Sequence, residues 1–218
     1  MTLNSWWPSL LAVLIILLYE IGLTIAERRR PERIARSSHA QLRQAWFDAI
    51  AGQAGSEILA VQTLRNSLMS ATMTASTAAL GLMGTASLAA PSLHEALAGE
   101  AGWGGLLAPR PMLELMLLGL LFVSLASSVM AVRYYTHVSF IAGIPANSPI
   151  KPQWLPTGRL YIAQAGRLYS VGLRHLVLVA PIVAALLLPL AGPVAALLTV
   201  LVLLRFDRVQ ADTTPVGD

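Results

Sequence analysis

EILAVQTLRNSLMSATMTASTAALGLMGTASLAA, residues 57–90, decides the reading of this chain. It opens with Gln62, Arg65 and Asn66 on one helical face, then continues without another charge for about the thickness of a bilayer. A soluble helix of that length and composition would overrun an ordinary core. A membrane helix is well served by it, because small residues let backbones approach where no hydrophobic force draws helices together. The stretch predicts a membrane-crossing helix over 67–90.

Composition leads to the same place. The chain has 218 residues, 56% of them hydrophobic and 12% charged, whereas soluble domains carry about 25% charged residues. Its mean hydropathy is +0.64. There is no cysteine, which excludes disulfides, iron–sulfur clusters, thioether-linked haem and a thiol nucleophile. The net charge is +4, and Lys151 is the one lysine among many arginines.

Working outward, four spans emerge, at roughly 6–26, 67–90, 112–132 and 176–204. Trp6 and Trp7 form an interfacial belt on the first, and Pro111 opens the third at a favourable first-turn position. The first span follows no basic region and is succeeded by Arg, so it reads as retained rather than as a cleaved signal. The fourth run would make about 44 Å of straight helix against a core of about 30 Å. With Pro181, Pro189 and Gly192–Pro193 inside it, a kinked or tilted span, or a break at Gly192–Pro193, is expected. A tight hairpin giving five spans is the alternative. On the second span, Ser67, Ala71, Ala75 and Ala79 line one face and Ser70, Thr74, Thr77, Gly81 and Gly84 an adjacent one. Either both are spent inside the bundle or one is left for a second protomer.

Charge sets the orientation. Arg28, Arg29, Arg30, Arg33, Arg36, Arg43 and Arg65 crowd the first connection. Arg133, Lys151, Arg159, Arg167 and Arg174 lie in the third, which holds no acid. The positive-inside rule then makes 27–66 and 133–175 cytoplasmic and the N-terminus external. The C-terminus is external with four spans and cytoplasmic with five. Within 40–58, Leu42, Trp46, Ile50, Ala54 and Ile58 recur every four residues and predict an amphipathic helix on the membrane surface. Pro145–Pro156 reads as a loop. Leu160, Tyr161, Ala165, Leu168 and Gly172 then predict a second surface helix feeding the fourth span. Residues 209–218 read as a disordered tail. The expected fold is an all-α integral membrane protein of four transmembrane helices with two cytoplasmic amphipathic surface helices, in one domain over 1–208.

One constellation could carry chemistry. Glu20, beside Tyr19, sits about 9 Å inside the cytoplasmic end of the first span. Gln62, Arg65 and Asn66 enter the second, Arg133, Tyr134, Tyr135 and His137 leave the third, and Arg174 and His175 enter the fourth. Converging, they would form a basic pocket around one acid, with Arg65 or Arg133 as the partner of Glu20. The pocket suits an anionic phospholipid headgroup, because guanidinium forks match phosphate geometry. The plainer reading is snorkelling Arg and interfacial Tyr. His137 and His175 on neighbouring helices would alternatively ligate a b-type haem, making the chain an electron-transfer protein. Ser124, Ser127 and Ser128 lack a matching His–acid pair and read as packing residues. No metal motif occurs, and the inverted repeats of carriers are absent, which leaves a small transporter or channel as the third reading.

The runs AVQTLRNSLMSATMTAST (60–77), RQAW (43–46), RYYTHVSF (133–140) and GLRHLVLVAP (172–181), with Gly192–Pro193, resemble the membrane proteins grouped as domain-of-unknown-function family 599. The resemblance covers most of the chain and implies a small multi-span membrane protein of bacteria and plants, here of the bacterial inner membrane, without an assigned activity. Leu190–Ala191 stands before Gly192–Pro193 where the family tends to carry an aromatic residue. Gln62, Arg65, Asn66, Arg133, His137 and Arg174 lie within or beside these motifs. The expected role is non-enzymatic: a structural or accessory membrane protein that forms a homo-oligomer or a subunit of a larger complex and binds anionic lipid.

Overall fold

Serine and threonine are costly in an apolar medium unless their hydroxyls are bonded. In α3 (Glu57–Ala98), the 42-residue helix that contains the stretch quoted above, the chain meets that cost internally. Ser67, Ser70, Thr72, Thr74, Thr77 and Ser87 each donate to the carbonyl four residues back, at 2.9–3.4 Å. Leu64, Ala71, Thr74 and Ala78 form its buried side, while Ser70, Thr77 and Gly84 are exposed. The Ser67–Ala79 face is thus turned toward the bundle, while the adjacent face is divided: Thr74 and Gly81 pack inward, and Ser70, Thr77 and Gly84 do not.

The computed structural model describes residues 7–29, 35–99 and 102–207, and these are all-helical apart from turns. Besides α3 there are α1 (Trp7–Arg29), α2 (Ala35–Ala51), α4 (Pro109–Ala142), α5 (Lys151–Val177), α6 (Val179–Leu187) and α7 (Ala191–Asp207). Three stretches are long and apolar enough to cross a membrane: Trp7–Ala26, Pro109–Ala142 and Lys151–Leu187. The hydroxyl-rich α3 is longer than any of them but less apolar. Trp6 and the tail at 209–218 lie outside the described residues.

Helices α3 and α4 form an antiparallel hairpin closed by a 3-10 turn at Gly102–Leu107. A Cβ at Gly81 would lie 3.0 Å from Leu121 of α4, and Ser92 reaches Glu114. α5 then runs antiparallel along α4, with Ile141 near Gly158 at one end and Ser124 bonded to Gly172 further on. At 1.5 Å per residue α3 is about 63 Å long and α4 about 51 Å, well beyond a hydrocarbon core of about 30 Å. The bundle accordingly has two storeys. One core joins Phe47, Leu64, Tyr135, Val138 and Ile162, and a second joins Ala12, Ile16, Leu117, Leu121, Ile182 and Ala196.

Three expectations need correction. The run 176–204 is not one kinked span. α6 continues α5, the chain turns at 188–190, and α7 packs back along α6 and α1. Pro189 holds Leu188 in extended backbone (φ −142°, ψ 105°), which ends the helix. Gly192 then closes the hairpin, since a Cβ there would stand 2.6 Å from that of Ala185. Secondly, the helix expected over 40–58 ends at Ala51, and the chain turns through Gly55 at φ 86°. Its buried side is Phe47 and Ala51, whereas Leu42 and Ile58 are exposed. Phe47 seats on α5 because Gly158 leaves it room: a Cβ there would lie 2.4 Å from the ring. Arg159 and Asp48 add an ion pair at 2.6 Å across the same contact. Thirdly, the second surface helix is the first part of α5, packed along α4 and continuous with α6 through Leu178. It buries Gly158, Ile162, Ala165 and Gly166, with Leu160 exposed.

Candidate functional site

The residues expected to converge at one depth are divided between the two storeys. Arg174 of α5 is buried, and its Nη1 donates to the Tyr19 hydroxyl of α1 at 2.7 Å. The guanidinium carbon is 5.5 Å from the centre of the same ring. Glu20 follows on α1, with its Oε1 enclosed and no hydrogen-bond partner for that atom among the described residues. His175 Nδ1 lies 2.9 Å from the Val171 carbonyl of its own helix. Beside them, the α4–α5 seam is close: Ser124 Oγ donates to the Gly172 carbonyl at 2.8 Å, and both Ser124 and Ser128 are wholly buried.

The other members lie further along the bundle. Tyr134 and His137 of α4 both meet the ring of Tyr161 on α5, with centroids 5.3 and 5.9 Å away. Tyr161 precedes His175 by about 21 Å of continuous helix, at 1.5 Å per residue. Two imidazoles sharing one iron bring their nitrogens within about 4 Å, twice a metal–nitrogen bond of about 2 Å. His137 and His175 do not come together in that way. Gln62, Arg65, Asn66 and Arg133 are exposed, and among the described residues neither Arg65 nor Arg133 pairs with Glu20. The reason is geometric. Apolar runs end at different heights on different helices, while α3, α4 and α5 continue as helix past those ends.

A carboxylate at the opposite end went unread in the sequence. Glu114 is 6% exposed, one turn into α4. Ser92 of α3 donates to its Oε2, and Arg110 donates to Oε1 at 3.0 Å. The signal was present: an acid just inside an apolar run, with Arg four residues before it. Ser92 and Arg110 also line a cleft of about 570 Å³.

At the α2–α3 end, the Glu57 carboxylate accepts the Ala146 N–H at 3.0 Å and pins the loop after α4 to the start of α3. That bond holds the Glu57 pKa below the ordinary carboxylate range, with lesser help from backbone N–H groups nearby and from Lys151. A depressed folded pKa gives stability that is present above the unfolded value of about 4.3 and lost as pH falls through the folded value. The protection factor of the Ala146 amide, its exchange relative to the intrinsic rate at each pH, is expected to fall on acidification through that window, and to be low and insensitive to that titration in Glu57→Ala. Unchanged protection at low pH would remove the carboxylate from this role.

Residues 9–211 match the family described as "Protein of unknown function, DUF599". The chain belongs to this family. The DUF599 match begins within the first turn of α1 and extends past α7, so both storeys, the hairpin and the Glu114 cleft lie inside it. No curated protein and no solved structure matches the chain.

Proposed function

We propose that this chain is a non-enzymatic structural or accessory protein of the inner membrane, built to pack against a second copy or a larger membrane complex. The observation that carries the reading is the outer face of α3. That helix packs chiefly on α4, while Met69, Met73, Leu80, Met83 and Leu88 stand at least half exposed along its far side. Exposed Leu14 and Leu18 of α1, Phe122 of α4 and Leu197 and Leu201 of α7 support burial of the rest in lipid.

On this reading α1, α3, α4, the α5–α6 rod and α7 each cross the bilayer. Five crossings replace the four expected, and α7, at 17 residues, is near the short limit for a span. An external N-terminus then carries a cytoplasmic C-terminus. The storey containing α2 projects into the cytoplasm, and its Arg65, Arg133 and Arg167 are exposed with no ion pair among the described residues. They form a rim for anionic phospholipid, each worth about 1 kcal/mol near a charged surface.

Native purification in mild detergent, followed by an absorbance spectrum and mass spectrometry, tests this. A colourless sample retaining anionic lipid and either a second copy or other subunits is expected. Arg65→Gln and Arg133→Gln should each lower lipid retention about fivefold, the equivalent of about 1 kcal/mol. Equal retention in both variants would end the lipid-rim proposal. A solitary monomer would end the accessory one, and a Soret band lost in His137→Ala would replace it with electron transfer.

A further inference from the structure

The cleft beside Glu114 has features of a built binding site. Its volume, about 570 Å³, is in the range of small-molecule pockets, and five segments enclose it: the first turns of α1, the end of α3, the 3-10 turn, the start of α4 and the α6–α7 hairpin. Its walls are held in place. The 3-10 turn lies so close on α3 that a Cβ at Gly105 would meet the Ala96 carbonyl at 2.2 Å. Leu113, Ala185, Leu186 and Pro189 make an apolar floor.

The polar side chains are few: Glu95, Arg110, Ser9 and Ser92. Arg110 is committed to Glu114, whose Oε2 also takes the Ser92 hydroxyl. Glu95 lines the same cleft and has no ion pair among the described residues. Ser9 is 2% exposed, lines the wall, and bonds to no described residue. Glu114 lies behind this lining, and with Arg110 balanced by it the cleft keeps one net negative charge, at Glu95, with the Ser9 hydroxyl oxygen as a further acceptor. A primary ammonium offers three donors and one positive charge and is matched by that set, whereas a carboxylate or phosphate would face the Glu95 carboxylate.

We propose that this cleft binds a small amphiphilic amine, its ammonium group between Glu95 and Ser9 and its apolar body on Leu186 and Pro189. The site lies at the opposite end of the bundle from the basic rim and does not depend on lipid binding there.

The test uses the full chain in phosphatidylcholine nanodiscs, titrated calorimetrically with 3-phenylpropylammonium, 3-phenylpropanoate and 3-phenylpropanol, with empty discs subtracted. The ammonium probe should bind at least about tenfold tighter than its anionic and neutral counterparts, as expected for a charge-assisted contact. Glu95→Gln, at an exposed position, should leave the fold intact and remove that preference, and Leu186→Trp should block all three probes by filling the floor. Three indistinguishable probes would overturn the proposal. So would a preference for the ammonium that survives both substitutions, since it would then arise elsewhere on the protein.

Discussion

Gly172→Val is expected to lower the melting temperature of the purified protein by about 10 °C, the largest effect of any single substitution considered. A Cβ at Gly172 would sit 2.5 Å from Ser128 Oγ, 3.1 Å from the Ser124 carbonyl and 3.3 Å from the Ser128 nitrogen. Two of those three atoms are helix backbone, so a rotamer change cannot relieve the clash. Overpacking costs about 1–3 kcal/mol, and prising α4 from α5 also forfeits the buried Ser124–Gly172 hydrogen bond, worth about 1 kcal/mol. A total of about 2–4 kcal/mol corresponds to that fall for a chain of this length. Gly172→Ala should cost about half as much by the same overpacking argument, and Ser128→Gly in the same chain should recover much of it. Gly84, whose Cβ would meet nothing within 4 Å, supplies the contrast. Gly84→Ala should be neutral or mildly stabilising, because glycine inside a helix costs about 1 kcal/mol relative to alanine. Thermal unfolding in one detergent, read by near-ultraviolet circular dichroism, separates the two positions. Equal melting for Gly172→Val and wild type would mean that α4 and α5 are not in this register.

The second large effect is at Arg174. Its guanidinium joins α5 to α1 through Tyr19, at a depth where neither end meets bulk water. Arg174→Ala leaves a cavity and removes the cation that the Tyr19 oxygen accepts from. The expected cost is about 3 kcal/mol, from about 1.5–3 for the lost charge-assisted hydrogen bond and a further contribution from lost packing. Tyr19→Phe keeps the ring under the guanidinium and should cost about 1.5 kcal/mol, the lower end for a hydrogen bond to a charged group. A double-mutant cycle over these two positions should give a coupling of at least about 1 kcal/mol. Additive losses would show that the residues act separately and that α1 is held by its apolar contacts with α6 and α7.

Much of the helical frame was legible in the sequence, because a long apolar run has one economical solution in lipid. The expected first span, 6–26, coincides with the apolar stretch Trp7–Ala26, whereas the third, 112–132, covers only part of α4, which runs from Pro109 to Ala142. The α6–α7 hairpin was harder. Pro189, Gly192 and Pro193 suit a kink or a turn equally, and the choice rests on whether Gly192 can close onto Ala185 and Ala12, which no local pattern reveals. In α2 both candidate stripes are apolar. Leu42–Trp46–Ile50 has the better periodicity, but Phe47 wins the core because Gly158 offers it space from the far side of the chain. The site shows the same division. Arg174 was conspicuous as a cation at the start of an apolar run, but its partner, Tyr19, lies 155 positions away in sequence. Glu114 was visible in isolation, yet the cleft lined by its partners Ser92 and Arg110 requires five segments to meet.

The internal bonds of α3 have a consequence for whatever covers that helix. A hydroxyl has one hydrogen to give and two lone pairs to receive with. At Ser70, Thr72, Thr77 and Ser87 the hydrogen is already given to the helix itself. These four groups face outward as acceptors without donors, and the exposed Ser76 among them keeps its hydrogen to give. Two such faces brought together can interlock by shape but cannot hydrogen-bond between these four groups unless one helix first releases a proton donor. A lasting polar contact would have to come from Ser76 or from a neighbour carrying its own N–H, such as Asn, Gln or Trp; without either, the grip is van der Waals fit alone.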